Sequence, residues 1–279
     1  MTTTVGILDS GVGGLTVASA LHRLLPALPV RYVADTAAFP YGDRPEALVS
    51  ARVLAIGERL AVEGCGLLVV ACNTASSAAL EALRSAVAVP VVGMEPPLKP
   101  AVAASASGRV LVLATTVTAR GDRLARLERR HAGGARVETV PMPGLASLVE
   151  RGVVAGDEVE GMLRTALAGP LARGVDVIAL GCTHYGLLGA TLARLLPPGV
   201  RALDAAHPVA RRCRDLLAAS GGLPAASSAE ATVDCRATGD VRGLAAALDR
   251  LRASGADLPP LDLRAATGAV AVLPSGGGG

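Results

Sequence analysis

The chain has 279 residues, 27 basic against 24 acidic side chains and a net charge of +3. It has no run of like charge, which excludes an electrostatic nucleic-acid surface and favours a small soluble substrate. Its apolar residues fall in short runs, none near the roughly 18 in a row that a membrane span needs, and residues 1–9 lack the basic segment and apolar stretch of a signal peptide, so the cytoplasm is the expected compartment.

Residues 5–8 read as a strand, 15–25 as a helix and 30–33 as a second strand, a β-α-β unit. Between the first two, Asp9-Ser10 precedes Gly11-Val12-Gly13-Gly14. Thr16 stands where a dinucleotide fingerprint needs glycine, and no Gly-Lys-Ser/Thr follows, so the simplest role is a tight turn whose N–H groups and Ser10 hydroxyl face a ligand carboxylate. Asp35-Thr36 ends the second strand, and Phe39-Pro40-Tyr41-Gly42 forms a loop on the same sheet edge, where Tyr41 by itself reads as an aromatic plug. A helix with Val49, Val53, Ile56 and Leu60 on one face leads to an apolar strand over 67–71 that ends at Cys72-Asn73-Thr74. A helix bearing Leu80, Leu83 and Val87 and a short strand over 89–92 complete the unit. Continuous apolar strands between helices mean a parallel sheet covered on both faces.

After Gly93 the alternation restarts with a strand over 109–114, then Thr115-Thr116-Val117-Thr118 opening a charged helix to about 130. Those hydroxyls suit a helix cap or a bound anion equally well. A strand over 136–140, helices to about 171 and a strand over 175–180 lead to Gly181-Cys182-Thr183-His184; a helix with Leu188, Leu192 and Leu195, a strand over 200–203 and a helix containing Val209, Leu216 and Leu217 follow. The expected organisation is two α/β domains, 1–94 with about 207–264 and 95–206, and a disordered tail over 265–279, where the chain is small, apolar and finally all glycine.

Five cysteines, widely spaced and without Cys-x-x-Cys pairs, read as reduced thiols with no metal site. A free cysteine is ordinarily a small buried hydrophobe. Cys72 and Cys182 differ from the other three: each ends a buried strand, where open parallel sheets bind ligands, and each is followed by a polar pair, Asn73-Thr74 or Thr183-His184. A thiol at a helix start has its pKa lowered from about 8.5, which suits a base near neutral pH. Inverting a stereocentre through a carbanion needs one group to remove a proton and another to return one to the opposite face; two matched thiols meet that need without a cofactor. His184 is the histidine placed to assist, His22, His131 and His207 read as surface or packing residues, and Glu150 reads as an exposed helix-end carboxylate.

Taken together, these segments resemble glutamate racemases of the aspartate/glutamate racemase superfamily, over about residues 5 to 240. The resemblance rests on Leu8-Asp9-Ser10-Gly11-Val12-Gly13-Gly14-Leu15-Thr16-Val17, Asp35-Thr36 with Pro40-Tyr41-Gly42, Ala71-Cys72-Asn73-Thr74-Ala75 and Gly181-Cys182-Thr183-His184-Tyr185, and more loosely on Glu95-Pro96, Thr115-x-x-Thr118, Leu148-Val149-Glu150-Arg151-Gly152 and Thr238-Gly239-Asp240. It implies two pseudo-symmetric α/β domains with the active site in the cleft between them. It also implies interconversion of L- and D-glutamate without cofactor, providing the D-isomer for peptidoglycan, and a homodimer. On that pattern Cys72 takes the proton from D-glutamate with help from Asp9, and Cys182 takes it from L-glutamate with help from Glu150 and His184. Ser10, Tyr41 and Gly42, with Pro40 beside them, hold the side-chain carboxylate; Asn73, Thr74, Thr118 and Thr183, with Thr115, hold the α-carboxylate and amino group. Met142-Pro143 departs from the family's frequent Cys-Pro, and Gly121 and Leu124 from its Ser and Tyr. The alternatives are a related racemase acting on aspartate or another small amino acid, and a nucleotide- or anion-binding regulator using the glycine turn, against which the missing third glycine and phosphate lysine argue.

Overall fold

The computed structural model describes residues 2–225 and 229–267. The chain opens with β1 (Thr4–Asp9), α1 (Leu15–Leu24), β2 (Val30–Ala34), α2 (Glu46–Val62), β3 (Cys65–Val70), α3 (Asn73–Ala86) and β4 (Val91–Gly93). A second set follows: α4 (Leu98–Ala104), β5 (Arg109–Ala114), α5 (Thr116–Arg120), α6 (Asp122–His131), β6 (Arg136–Pro141), α7 (Leu145–Glu150), α8 (Asp157–Ala172), β7 (Val177–Leu180), α9 (Thr183–Gly186), α10 (Gly189–Leu195) and β8 (Arg201–Leu203). Then α11 (Ala206–Ala219) packs along α1, and β9 (Val233–Ala237) and β10 (Leu261–Ala265), joined by α12 (Val241–Ala253), widen the first sheet.

The pairings in both sheets are parallel. The orders are β10-β9-β2-β1-β3-β4 and β6-β5-β7-β8. Without β9 and β10 these are one plan used twice: the first strand is central, the second lies on one side, and the third and fourth lie on the other. Winding therefore reverses between β1 and β3 and again between β5 and β7, and a doubly wound sheet opens its ligand crevice beyond the strand ends at that reversal. Cys72 follows β3 by two residues and Cys182 follows β7 by two, so the pseudo-symmetry puts both thiols at equivalent crevices.

The central strands β1, β3, β5 and β7 are buried almost throughout, which is why they read as unbroken apolar runs. Val5, Ile7, Leu15 and Leu21 of the first lobe share one hydrophobic cluster with Leu111, Leu145, Leu163 and Ile178 of the second, so apolar packing continues from lobe to lobe. Among the described residues no helix is long and apolar enough to cross a membrane.

Three features depart from the sequence expectations. The charged helix is two helices, because Gly121 takes an extended backbone (φ −78°, ψ 140°) between α5 and α6. The strands β9 and β10 were not anticipated. In β9, Val233, Cys235 and Ala237 face inward while Asp234 and Arg236 alternate with them and meet Arg31, Glu63 and Arg264, a pattern too short and too charged to read as apolar. The expected tail begins too early at 265: Ala265 closes β10 and Ala266 is buried, and from 268 onward the tail lies outside the described residues.

Candidate active site

Cys72 and Cys182 are the N-cap residues of α3 and α9, with nearly identical backbones (φ −137°, ψ 128° and φ −140°, ψ 135°). An N-cap's extended backbone aims its side chain back over the first turn, where helix N–H groups lack partners. The Sγ of Cys72 accepts from the Ala75 N–H at 3.5 Å and lies 4.0 Å from the Ser10 hydroxyl. The Sγ of Cys182 lies 3.8 Å from Nδ1 of His184.

Behind the thiols a polar chain crosses between the lobes. Asp9 accepts from the Ser10 hydroxyl at 3.1 Å, the Gly11 N–H at 3.4 Å and, from the other lobe, the Thr183 hydroxyl at 3.2 Å. Glu150 of the second lobe accepts from the Val12 N–H at 2.8 Å and meets Nε2 of His184 at 2.8 Å. Two expectations change here. Glu150 is an inter-lobe ligand with a side chain 13% exposed, not an exposed helix end. The N–H groups at Gly11 and Val12 hold carboxylates of the protein itself. The glycines serve close approach instead: a Cβ on Gly11 would stand 2.1 Å from a Glu150 oxygen, and one on Gly13 2.4 Å from Nδ1 of His184.

Burial sets the charges. Desolvation pushes Cys72 up to about 12, with the nearby Asp9 carboxylate adding to it, and the single Ala75 N–H does not offset them. The lowered thiol pKa expected from a helix start is thus overturned at Cys72, because removal from water outweighs one turn of backbone dipole. Desolvation also raises Asp9 to about 6, against the pull of His184. For His184 burial works downward, but the hydrogen bonds and charges of Cys182 and Glu150 prevail and hold it well above its ordinary value, as an imidazolium donating to both.

Ser10, Pro40, Tyr41, Gly42, Cys72, Asn73 and Thr74 of the first lobe and Thr115, Thr118, Cys182, Thr183 and His184 of the second line one cavity of about 30 Å³. Asp9 and Glu150 lie behind that lining. The Thr115 hydroxyl accepts from the Thr118 N–H at 3.3 Å and donates to the Thr118 hydroxyl at 3.0 Å, so it caps α5 as well as facing the cavity. Phe39 packs on His184 with ring centroids 5.4 Å apart. Tyr41 is no simple plug: its hydroxyl donates to the buried Asp35 at 2.5 Å. Oδ1 of Asn73 is the one buried side-chain polar atom among the described residues without a hydrogen-bond partner, and it needs a donor. Among the described residues no three His, Cys, Asp or Glu side chains are grouped as a metal would require. Sequence reasoning missed two fixtures: Tyr32, whose hydroxyl donates to the Gly11 carbonyl at 2.6 Å, and Arg52, which pairs with Asp35. Both sit on elements read only for their apolar faces.

Residues 13–213 match the family model described as Asp/Glu/Hydantoin racemase. A glutamate racemase from Ralstonia nicotianae is 44% identical over 216 residues, 77% of this chain and 78% of that protein. Among solved structures, the Escherichia coli glutamate racemase in complex with L-glutamate and the activator UDP-MurNAc-Ala superposes with a TM-score of 0.81 at 34% identity, covering 96% of this chain and 100% of that one. A glutamate racemase from Bacillus anthracis superposes with a TM-score of 0.80 at 30% identity, over 94% and 97%.

Proposed function

The chain belongs to the glutamate racemase family, within the Asp/Glu/hydantoin racemases, and from that premise we propose that it interconverts L- and D-glutamate with Cys72 and Cys182 as the two acid–base groups. The observation that carries this reading is one thiol from each lobe, on matched helix caps, lining a single cavity.

In the L-to-D direction the Cys182 sulfur removes the α-proton from one face while the Cys72 thiol delivers its proton to the other. The two sulfurs exchange states and no electron pair leaves the substrate. The imidazolium of His184, steadied by Glu150, stands beside the sulfur that starts this direction. Cys72, whose pKa is near 12, starts as the acid. In the reverse direction Cys72 must become the base, and the substrate ammonium supplies the positive charge that its side of the pocket lacks. Asn73 Oδ1 is the acceptor waiting for that ammonium. The hydroxyls of Thr74, Thr118 and Thr183 hold the α-carboxylate, and Ser10 with the Pro40-Tyr41-Gly42 loop receives the side-chain carboxylate. Because the Tyr41 phenol is committed to Asp35, the loop's backbone makes that contact. The protein acts in the cytoplasm as a homodimer on a small molecule, with no nucleic-acid partner, and supplies the D-isomer for peptidoglycan.

Purified protein in deuterated water, without added cofactor, is expected to racemise either enantiomer of glutamate and carry deuterium into the α-position. Cys72→Ala and Cys182→Ala are each expected to lose racemisation by about 10³-fold or more, within the span of general acid–base catalysis. Normal activity in both variants would defeat the two-thiol assignment. Turnover of aspartate but not glutamate on a chiral column would move the substrate to the shorter acid.

A further inference from the structure

Asp35-Thr36 and Thr238-Gly239-Asp240 are motifs of this chain to which the chemistry above assigns no role, and the fold joins them at one buried point. Asp35, fully buried at the end of β2, accepts from the Tyr41 hydroxyl at 2.5 Å, from Nε of Arg52 at 2.5 Å and its Nη2, and from the Thr238 hydroxyl at 2.5 Å. Arg52 on α2 is 1% exposed. The same meeting point stitches the backbone of the substrate-side loop to the exit of β9: the Ala37 N–H donates to Thr238 Oγ1 at 3.2 Å, and the Gly239 N–H donates to Thr36 Oγ1 at 3.0 Å.

A charge pair this dry is poor value as a stabiliser, because apolar side chains of the same volume would pack without the desolvation penalty. What it supplies is position. Only one side of the carboxylate faces the cavity-lining loop, through Tyr41, and the other two partners come from α2 and from the carboxyl end of β9. We propose that Asp35, Arg52 and Thr238 are positioning residues that hold Tyr41 and Gly42 at the height set for a glutamate side chain, making the C-terminal segment part of the substrate-length determinant. This rests on the glutamate reading. The loop is held by three converging hydrogen-bonded partners, so loosening one lets the carboxylate subsite drift without disturbing either thiol.

Two near-isosteric variants test it, Tyr41→Phe and Thr238→Val, with Thr238→Ser as the rescue. Asp35→Ala would take from the buried Arg52 its carboxylate partner and mix a folding defect with the positioning effect, so it is avoided. With hydrogen bonds to charged groups as the lever, each of the two variants is expected to raise KM for glutamate about tenfold. The expected kcat of Thr238→Val stays within about twofold of wild type, and in both variants the preference for glutamate over aspartate falls. Thr238→Ser should restore the wild-type KM, and circular dichroism should show all three folded. An unchanged KM in both folded variants, or a loss confined to kcat, would overturn the proposal. A wild type inactive on glutamate would instead sink the substrate reading beneath it.

Discussion

Asp9 is a residue the fold holds at a disadvantage. Its carboxyl is wholly buried and raised to about 6, from an ordinary value near 4, chiefly by desolvation. The native state therefore binds this proton more tightly than the unfolded chain does. Its contribution to stability is fully present below about pH 4 and is lost as pH rises through about 6. Asp9→Asn lacks the titration, so its stability relative to wild type should climb by at most about 2 to 3 kcal/mol between about pH 4 and about pH 7, read by urea denaturation at both. A difference independent of pH would show that Asp9 is not perturbed. On the proposed reading this fits its influence on Cys72: a carboxylate of adjustable charge is useful to a proton shuttle and unhelpful to a core.

At the level of elements, the glycine turn between β1 and α1 is one place where the lobes touch. Its peptide groups are pinned from both sides, by Tyr32 from its own lobe and by Glu150 from the other. A Cβ at position 13 would meet the His184 backbone nitrogen at 2.7 Å as well as the imidazole, and a backbone atom cannot step aside as a flexible side chain can. Gly13→Ala is expected to fold both lobes yet hold them apart, lowering kcat/KM about 100-fold or more with an unchanged far-ultraviolet spectrum, since misplacement of about 1 Å costs that much. Gly161→Ala on α8, where a Cβ meets nothing within 4 Å, serves as the control and should gain about 0.5 to 1 kcal/mol of stability. Normal kcat/KM in Gly13→Ala would remove the close-approach role from the turn.

For the whole molecule, a cavity of about 30 Å³ has room for little more than one water, far less than an amino acid. The expectation is that the lobes part to admit substrate and close again to dry the site, a gating step of the usual kind. Iodoacetamide should then reach Cys72 and Cys182 only in the parted state, while Cys65, Cys213 and Cys235 stay inert in the native core. Peptide mass spectrometry should find both active-site thiols labelled about tenfold faster in Gly13→Ala than in wild type, and slower in wild type saturated with glutamate. Equal rates in all three samples would mean that closure does not control access.

The α/β class, the parallel central strands and the special context of Cys72 and Cys182 were legible in the amino-acid sequence because each is a local property: an unbroken apolar run, a cysteine at its end, a polar pair after it. The same local view was blind to Glu150, Arg52, Tyr32 and β9, whose meaning comes from partners far away in the chain, and it misjudged the Cys72 thiol, whose charge depends on how much water the closed lobes expel. Sequence determined which groups are available for proton transfer and on which strands they stand. Tertiary structure decided which of them meet, how dry the meeting place is and therefore which protons they carry, because desolvation and close approach are properties of the folded surface as a whole.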